Sequence, residues 1–409
     1  MPGGGQARYG GSDAARPRDD DADRMNAPPQ RPEDTEVSLW SRWARSVDHL
    51  SIAACVVLFC IGVILAFAAS PALAENNRTE PFHYAWRHML FGAPAFALLF
   101  SVSFFSPAAV RRLASLLTIA GLVALAMLPA YGTDFGKGGQ RWFSLAGFGS
   151  VQPSELLKPA LIVTCAWLLS AAAERRQAGL RLVGAGASFG LVALAAALLV
   201  IQPDYGQTAL ILTVWSAMYF LSGASLVTLT ILGACAAAGG AVAYQIEPHL
   251  ADRIEAFLDP ASGVALQLQV AQDAMINGGW FGAGLGQGVQ KDLLPDAHAD
   301  FIFAVAVEEY GFALGAIVMG LFGFLTLNAL WRLRRVEAAF PRLAGAGLAL
   351  LFGLQAFVNM AVTVQLLPAK GMTLPFISYG GSSLLATGLT MGMLLALTRR
   401  RPAEQSRPF

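Results

Sequence analysis

The sequence predicts an all-α polytopic membrane protein: a helical bundle of about ten transmembrane spans with a large extracytoplasmic loop between the seventh and the eighth. Three observations predict it. Hydrophobic residues make up 55% of the 409 and charged residues 13%, with a mean hydropathy of +0.53, a balance that a soluble domain of this size does not sustain. Apolar runs recur, each long enough to cross a hydrocarbon core of about 30 Å, and in lipid such runs must be helices because the backbone has to satisfy its own hydrogen bonds. The arginines cluster in alternate connections, as they do where one side of the membrane is cytoplasmic.

Residues 1–47 are rich in Gly, Pro, Asp and Arg and are expected to be a disordered cytoplasmic tail, with Trp40 and Trp43 as an interfacial anchor before the first span. Spans are expected near 49–69, 87–106, 113–131, 155–173, 181–201, 206–222, 225–245, 301–331, 343–366 and 378–398. Together they form a transmembrane domain over 48–401, followed by a short cytoplasmic tail at 402–409. Arg111 and Arg112, Arg175, Arg176 and Arg181, Arg332, Arg334, Arg335 and Arg342, and Arg399 to Arg401 all fall on one side, so both termini are expected inside. All four lysines, Lys137, Lys158, Lys291 and Lys370, fall on the opposite side, where topology gives no reason to keep cations and an anionic substrate does. Cys55, Cys60, Cys165 and Cys235 lie inside spans, which argues against a disulfide framework, and the histidines show no zinc spacing.

The connections on the lysine side carry the chemistry. Before the fourth span, Arg141 offers a cation, and Gln152-Pro153-Ser154-Glu155 reads as a helix start that brings Glu155 and Lys158 into the span one turn apart. Asp204, in a second Gln-Pro-acid string, is placed to cap the sixth span. The loop 246–300 ends in alternating glycines, Gly282, Gly284, Gly286 and Gly288, without the strand that a dinucleotide fingerprint needs. Backbone donors approaching a lipid diphosphate suit them better. Pro295 is expected to start a helix with Asp296 and Asp300 on one face, where mutual repulsion would raise a carboxylate pKa and suit a general base. Glu308 and Glu309 enter the eighth span, either as functional groups or as internal hydrogen-bond acceptors. That span, from Phe301 to Trp331, is longer than a bilayer needs, and the Pro- and Gly-rich segment after Leu366 is expected to line a cavity. On the residues alone the chain is a lipid-diphosphate enzyme or a carrier of such a lipid.

The strings LPDAHADFIFAVAVEEYG at 294–311 and LPAKGMTLPFISYGGSS at 367–383 resemble the SEDS family (FtsW and RodA), and the span pattern resembles it from about 48 to 401. Lys370 and the residues after it resemble the division branch rather than the elongation branch. The resemblance implies a peptidoglycan glycosyltransferase that polymerises lipid II and releases undecaprenyl diphosphate. It maps the family's essential carboxylate onto Asp300 as general base, with Ala299 standing where the family has Thr. Arg141, Lys158, Lys291 and Lys370 become candidates for the diphosphate, and Glu155, Asp204, Asp296, His298 and Ser378 further substrate contacts. No ligand set for a metal is visible, and a divalent cation, Mg or Mn, is the one cofactor considered. The partners implied are lipid II, a class B penicillin-binding protein and other division proteins at the septum of the bacterial inner membrane, with no nucleic acid. The alternatives are a lipid II flippase and an elongation-type polymerase.

Overall fold

The computed structural model describes residues 4–5, 38–76, 78–134, 139–145, 149–174, 178–223, 226–259, 266–294, 296–368 and 371–399. Most of the two expected tails therefore lies outside the described residues, as do Lys137 and Lys370. The chain divides into a short N-terminal unit, Met1–Arg45, and a main body, Ser46–Phe409. Helix α1, Leu39–Ser46, carries Trp40 and Trp43 stacked with ring centroids 4.9 Å apart.

In the main body follow α2 (His49–Asn76), α3 (His83–Ser103), α4 (Pro107–Tyr131), a hairpin of β1 (Phe143–Leu145) and β2 (Gly149–Val151), α5 (Pro153–Glu174), α6 (Ala178–Ile201), α7 (Tyr205–Leu221), α8 (Leu226–Ile246), α9 (Pro248–Leu258), α10 (Leu266–Gly278), α11 (Ile302–Leu333), α12 (Ala339–Thr363) and α13 (Gly381–Thr398). Nine of these are long and apolar enough to cross a membrane among the described residues. The tenth expected span, at 206–222, is α7, which has 17 residues and is equally apolar. The protein is thus a multi-pass membrane bundle. Prolines lie inside several of these helices, Pro94 in α3 and Pro159 in α5 among them, as transmembrane helices tolerate.

Burial sorts the helices. The spanning windows of α5, α12 and α13 are 78%, 72% and 83% buried, against 0% for α8, so the first three form the centre and α8 stands at the periphery. Small residues let central helices close up: a Cβ on Gly388 of α13 would be driven into the Ala95 carbonyl of α3. Polar pairs join others, Thr118 to Thr164 at 3.0 Å between α4 and α5, and Trp215 Nε1 donating to Ser188 Oγ at 2.8 Å between α7 and α6. At the arginine-rich end, Arg332 of α11 pairs with Asp48 at 2.8 Å, and Ser51 and Asn328 also donate to that carboxylate.

Two features escape the periodicity. The antiparallel hairpin, Phe143 paired with Val151, packs against the outer end of α13, and α9 and α10 give helical structure to the large loop. The segment between α12 and α13 is irregular, and its second half is enclosed by protein: Met372, Leu374, Phe376 and Ile377 are each at most 2% exposed. Phe376, with φ +63°, stacks against Phe96 at 5.6 Å.

Candidate functional site

The site is built on the break in α11. Gly311 has φ +80° and ψ 175°, outside helical geometry, and so divides α11 into an outer piece starting at Ile302 and a spanning piece starting at Phe312. A broken helix leaves amides and carbonyls without partners. The preceding loop supplies them: Ala283 N donates to Glu308 O at 2.8 Å, Gly284 N to Glu309 O at 3.1 Å, and Phe312 N to Gly279 O at 2.8 Å. The loop approaches so closely that a Cβ on Gly282 would collide with the Glu309 carbonyl, and one on Gly311 with the Trp280 carbonyl. The excess length of this span is therefore an outer segment folded into the loop, not a tilted helix.

The two glutamates complete the junction. Glu308 accepts from the backbone amides of Val289, Gln290 and Lys291 at 2.9, 2.8 and 2.9 Å. Glu309 accepts from Gly286 N, from Gly288 N at 3.2 Å and from the Lys291 ammonium, and both acids are at most 1% exposed. This corrects one expectation: the glycine-loop donors are directed at Glu308 and Glu309, not at a lipid diphosphate. Lys291, 7% exposed, is engaged in a buried ion pair with Glu309. The internal-acceptor reading of the two glutamates holds.

Asp300 lies just before α11. The expected helix start at Pro295 is not formed: Asp296 has φ +59°, and its carbonyl accepts from Ala299 N at 2.9 Å and Asp300 N at 3.0 Å, closing a single turn. Pro295 itself is outside the described residues. The turn is clamped from the other side of the bundle. Ser378 Oγ donates to Ala299 O at 2.6 Å, Tyr379 N donates to His298 O at 2.9 Å, and Asn359 Nδ2 bridges Asp300 O at 2.9 Å and Met372 O at 2.6 Å. The Gly371 backbone approaches the acid closely, since a Cβ there would stand 3.1 Å from Asp300 Oδ2. Ser378 and His298 thus belong to the Asp300 turn, Ser378 as a clamp on its backbone.

Around this turn lie the other candidates. Asp204 caps α7, accepting from Gln207 N at 3.3 Å, while Arg141 donates to the carbonyls of Gln202 and Pro203 at 3.0 and 2.9 Å and so ties the hairpin to the α6–α7 link. Burial raises the Asp204 pKa against the opposing pull of Arg141. Arg253 of α9, which no sequence motif singled out, is in electrostatic reach of Arg141, Asp204 and Asp300; desolvation and Arg141 lower its pKa while the two acids raise it. These charges form one field at the outer face.

Glu155 and Lys158 form an interior group joined to Asp204 through Gln207. Lys158 Nζ donates to Glu155 Oε1 at 3.0 Å and to Gln355 Oε1 at 2.9 Å, and Gln207 Nε2 donates to Glu155 Oε1 at 2.7 Å. The cavity beside them, lined also by Thr387 and Thr390, has room for about one water, too little for a sugar or a diphosphate. The two residues form a buried polar link between α5, α7 and α12. Among the described residues no three His, Cys, Asp or Glu side chains gather as a metal site.

Three rings meet beside the turn: Tyr84 of α3 lies 5.1 Å from His298 and 5.4 Å from Tyr379, and His298 lies 5.3 Å from Tyr379. Tyr84, Tyr379, Arg253 and Asn359 were not legible as site residues, because only the fold brings them to the turn.

The family model for cell cycle proteins of the FtsW, RodA and SpoVE type matches residues 48–402. A relative from Caulobacter vibrioides named probable peptidoglycan glycosyltransferase FtsW is 40% identical over 361 residues, 88% of this chain and 91% of its own. One of the same name from Alkalilimnicola ehrlichii is 34% identical over 388 residues, 90% and 93% of the two chains. Among solved structures, one described as a peptidoglycan synthase complex coordinating polymerization and crosslinking is similar with TM-score 0.70 and 27% identity, covering 86% of this chain and 97% of that one. The rod shape determining protein RodA of Thermus thermophilus shares the fold, with TM-score 0.62 at 24% identity over 86% and 96% of the chains.

Proposed function

The chain belongs to the FtsW/RodA/SpoVE family of cell cycle proteins, and from that membership we infer that it is a peptidoglycan glycosyltransferase of the division type, polymerising lipid II. The observation that supports the assignment of its base is the clamped turn: the Asp300 backbone is held by Asn359 and by the Ser378 and Tyr379 contacts to the residues before it, and Arg253 lies in electrostatic reach of its carboxylate. An acid on a rigidly positioned backbone suits proton transfer.

In the mechanism, Asp300 takes the proton of the acceptor GlcNAc 4-hydroxyl as that oxygen attacks the anomeric carbon of the donor MurNAc. The bond from that carbon to the diphosphate breaks, and undecaprenyl diphosphate leaves with the electron pair. Arg141 and Arg253 supply positive potential for the departing charge. Lys370 is kept as a further candidate from its string alone. A divalent cation, Mg or Mn, would add countercharge to the diphosphate; the described acids assemble no site for it, and no step depends on it.

The partner proposed is a class B penicillin-binding protein that crosslinks the new strand, within the division machinery at the septum of the inner membrane, with both termini cytoplasmic. The test is polymerisation of labelled lipid II by the purified protein with its transpeptidase, with penicillin present. Asp300→Asn is expected to lower the rate by about 10²–10⁴-fold without loss of fold. Equal strand synthesis by both proteins would overturn Asp300 as the base, and lipid II translocation without synthesis by either would favour the flippase.

A further inference from the structure

The ring cluster beside Asp300 is not an ordinary aromatic core. Tyr84, His298 and Tyr379 come from three distant segments, each carries a polar edge, and each is only half-buried. Tyr84 and Tyr379 stand nearly perpendicular, at 88°, with His298 inclined at 49° and 39° to them. The arrangement is angular, with ring faces turned in different directions. His298 rides on the same turn as Asp300, two residues before it, and Tyr379 N holds its carbonyl at 2.9 Å. Arg87, one turn along α3 from Tyr84, is in electrostatic reach of Tyr379, and its guanidinium also lies against Gly149 of the hairpin.

We propose that Tyr84, His298 and Tyr379 form a saccharide platform that seats the acceptor amino sugar against Asp300. The proposal rests on the glycosyltransferase reading. A pyranose ring has an apolar C–H face and a polar rim of hydroxyls, so it is recognised by an aromatic face together with donors and acceptors at the ring edges. Two phenols and an imidazole supply both. The Tyr379 hydroxyl, protonated near neutral pH as phenols ordinarily are, remains a donor, since burial raises its pKa further. The acceptor is favoured over the donor because the platform and the base share one turn, so a sugar on the rings presents its rim to Asp300. An isoprenoid tail would not use the polar edges.

The test uses the full-length protein in detergent micelles and a soluble GlcNAc–MurNAc disaccharide carrying neither lipid nor diphosphate, read by saturation-transfer difference NMR. Wild type and Asp300→Asn are expected to transfer saturation most strongly to the GlcNAc ring protons. Tyr84→Leu and Tyr379→Leu keep apolar bulk but lose the aromatic face, and are expected to bind about tenfold more weakly. Tyr84→Phe and Tyr379→Phe keep the face and are expected to retain binding, which separates stacking from loss of fold. The platform is overturned by no transfer from wild type, by transfer centred on MurNAc, by unchanged binding in the Leu variants, or by equal loss in the Phe variants. Sugar binding by a wild type that polymerises nothing would sink the glycosyltransferase reading and leave the platform standing.

Discussion

Lys158 is 1% exposed, and the whole of its charge is answered by Glu155 and Gln355. Removing one partner of such a pair leaves an uncompensated buried charge, which costs about 3–5 kcal/mol, whereas replacing both by neutral groups of similar size costs much less. Glu155→Gln is therefore expected to lower the unfolding temperature sharply and Glu155→Gln with Lys158→Met to recover most of it, as read by thermal unfolding in detergent. Asp204 acts in the opposite sense. Burial raises its folded pKa, so the folded state holds the proton more tightly than the unfolded one. Stability should then fall as pH rises from the ordinary carboxylate range through the folded pKa. Asp204→Asn, which keeps a good helix cap, is expected to flatten that slope in melts taken across acidic pH. The turn that carries His298 and Asp300, and Ser378 beside it, could be located because their strings are specific, but the ion pair of Lys291 could not. A cation in a polar loop looks available until the fold places Glu309 beside it, and nothing local in the sequence encodes that contact.

The broken helix α11 is the element that begins at the Asp300 turn. Gly311→Ala would combine a positive φ with a collision against the Trp280 carbonyl, so a loss of about 3 kcal/mol or more is expected in thermal unfolding. Glu309→Gln is milder in volume but removes the charge that answers Lys291. It is expected to expose the 279–291 loop to added protease while leaving the cleavage pattern elsewhere unchanged. Neither the break nor the hairpin could be read beforehand. Glu308 and Glu309 mark the neighbourhood of Gly311 but do not encode a break there, and strands of three residues fall below any pattern of alternation. The spanning helices were legible, to within a few residues at most ends, because each must bury a bilayer's length of backbone.

At the scale of the molecule, the charge asymmetry and the ten helices place the α9–α10 loop and the Arg332 end on opposite sides. A cysteine at Asp252, labelled by an impermeant maleimide in intact cells of a variant lacking Cys55, Cys60, Cys165 and Cys235, should react, and one at Arg335 only after permeabilisation. Burial predicts tolerance as well. Gly388→Leu at the centre should abolish folded protein, whereas Gly239→Leu on peripheral α8, with nothing within 4 Å, should leave its yield unchanged in detergent chromatography. The architecture was visible in the sequence because membrane solvation dictates it; which helices sit at the centre was not, because nearly every span is apolar all round. The capping of α11 also bears on how the protein is made. The loop at 279–291 precedes that helix in the chain, so the groups that cap the break at Gly311 are synthesised before it. The residues that hold the Asp300 turn, Asn359 on α12 and Ser378 and Tyr379 just before α13, are synthesised after it, so the break can be capped locally whereas the turn is completed only with the last two spans.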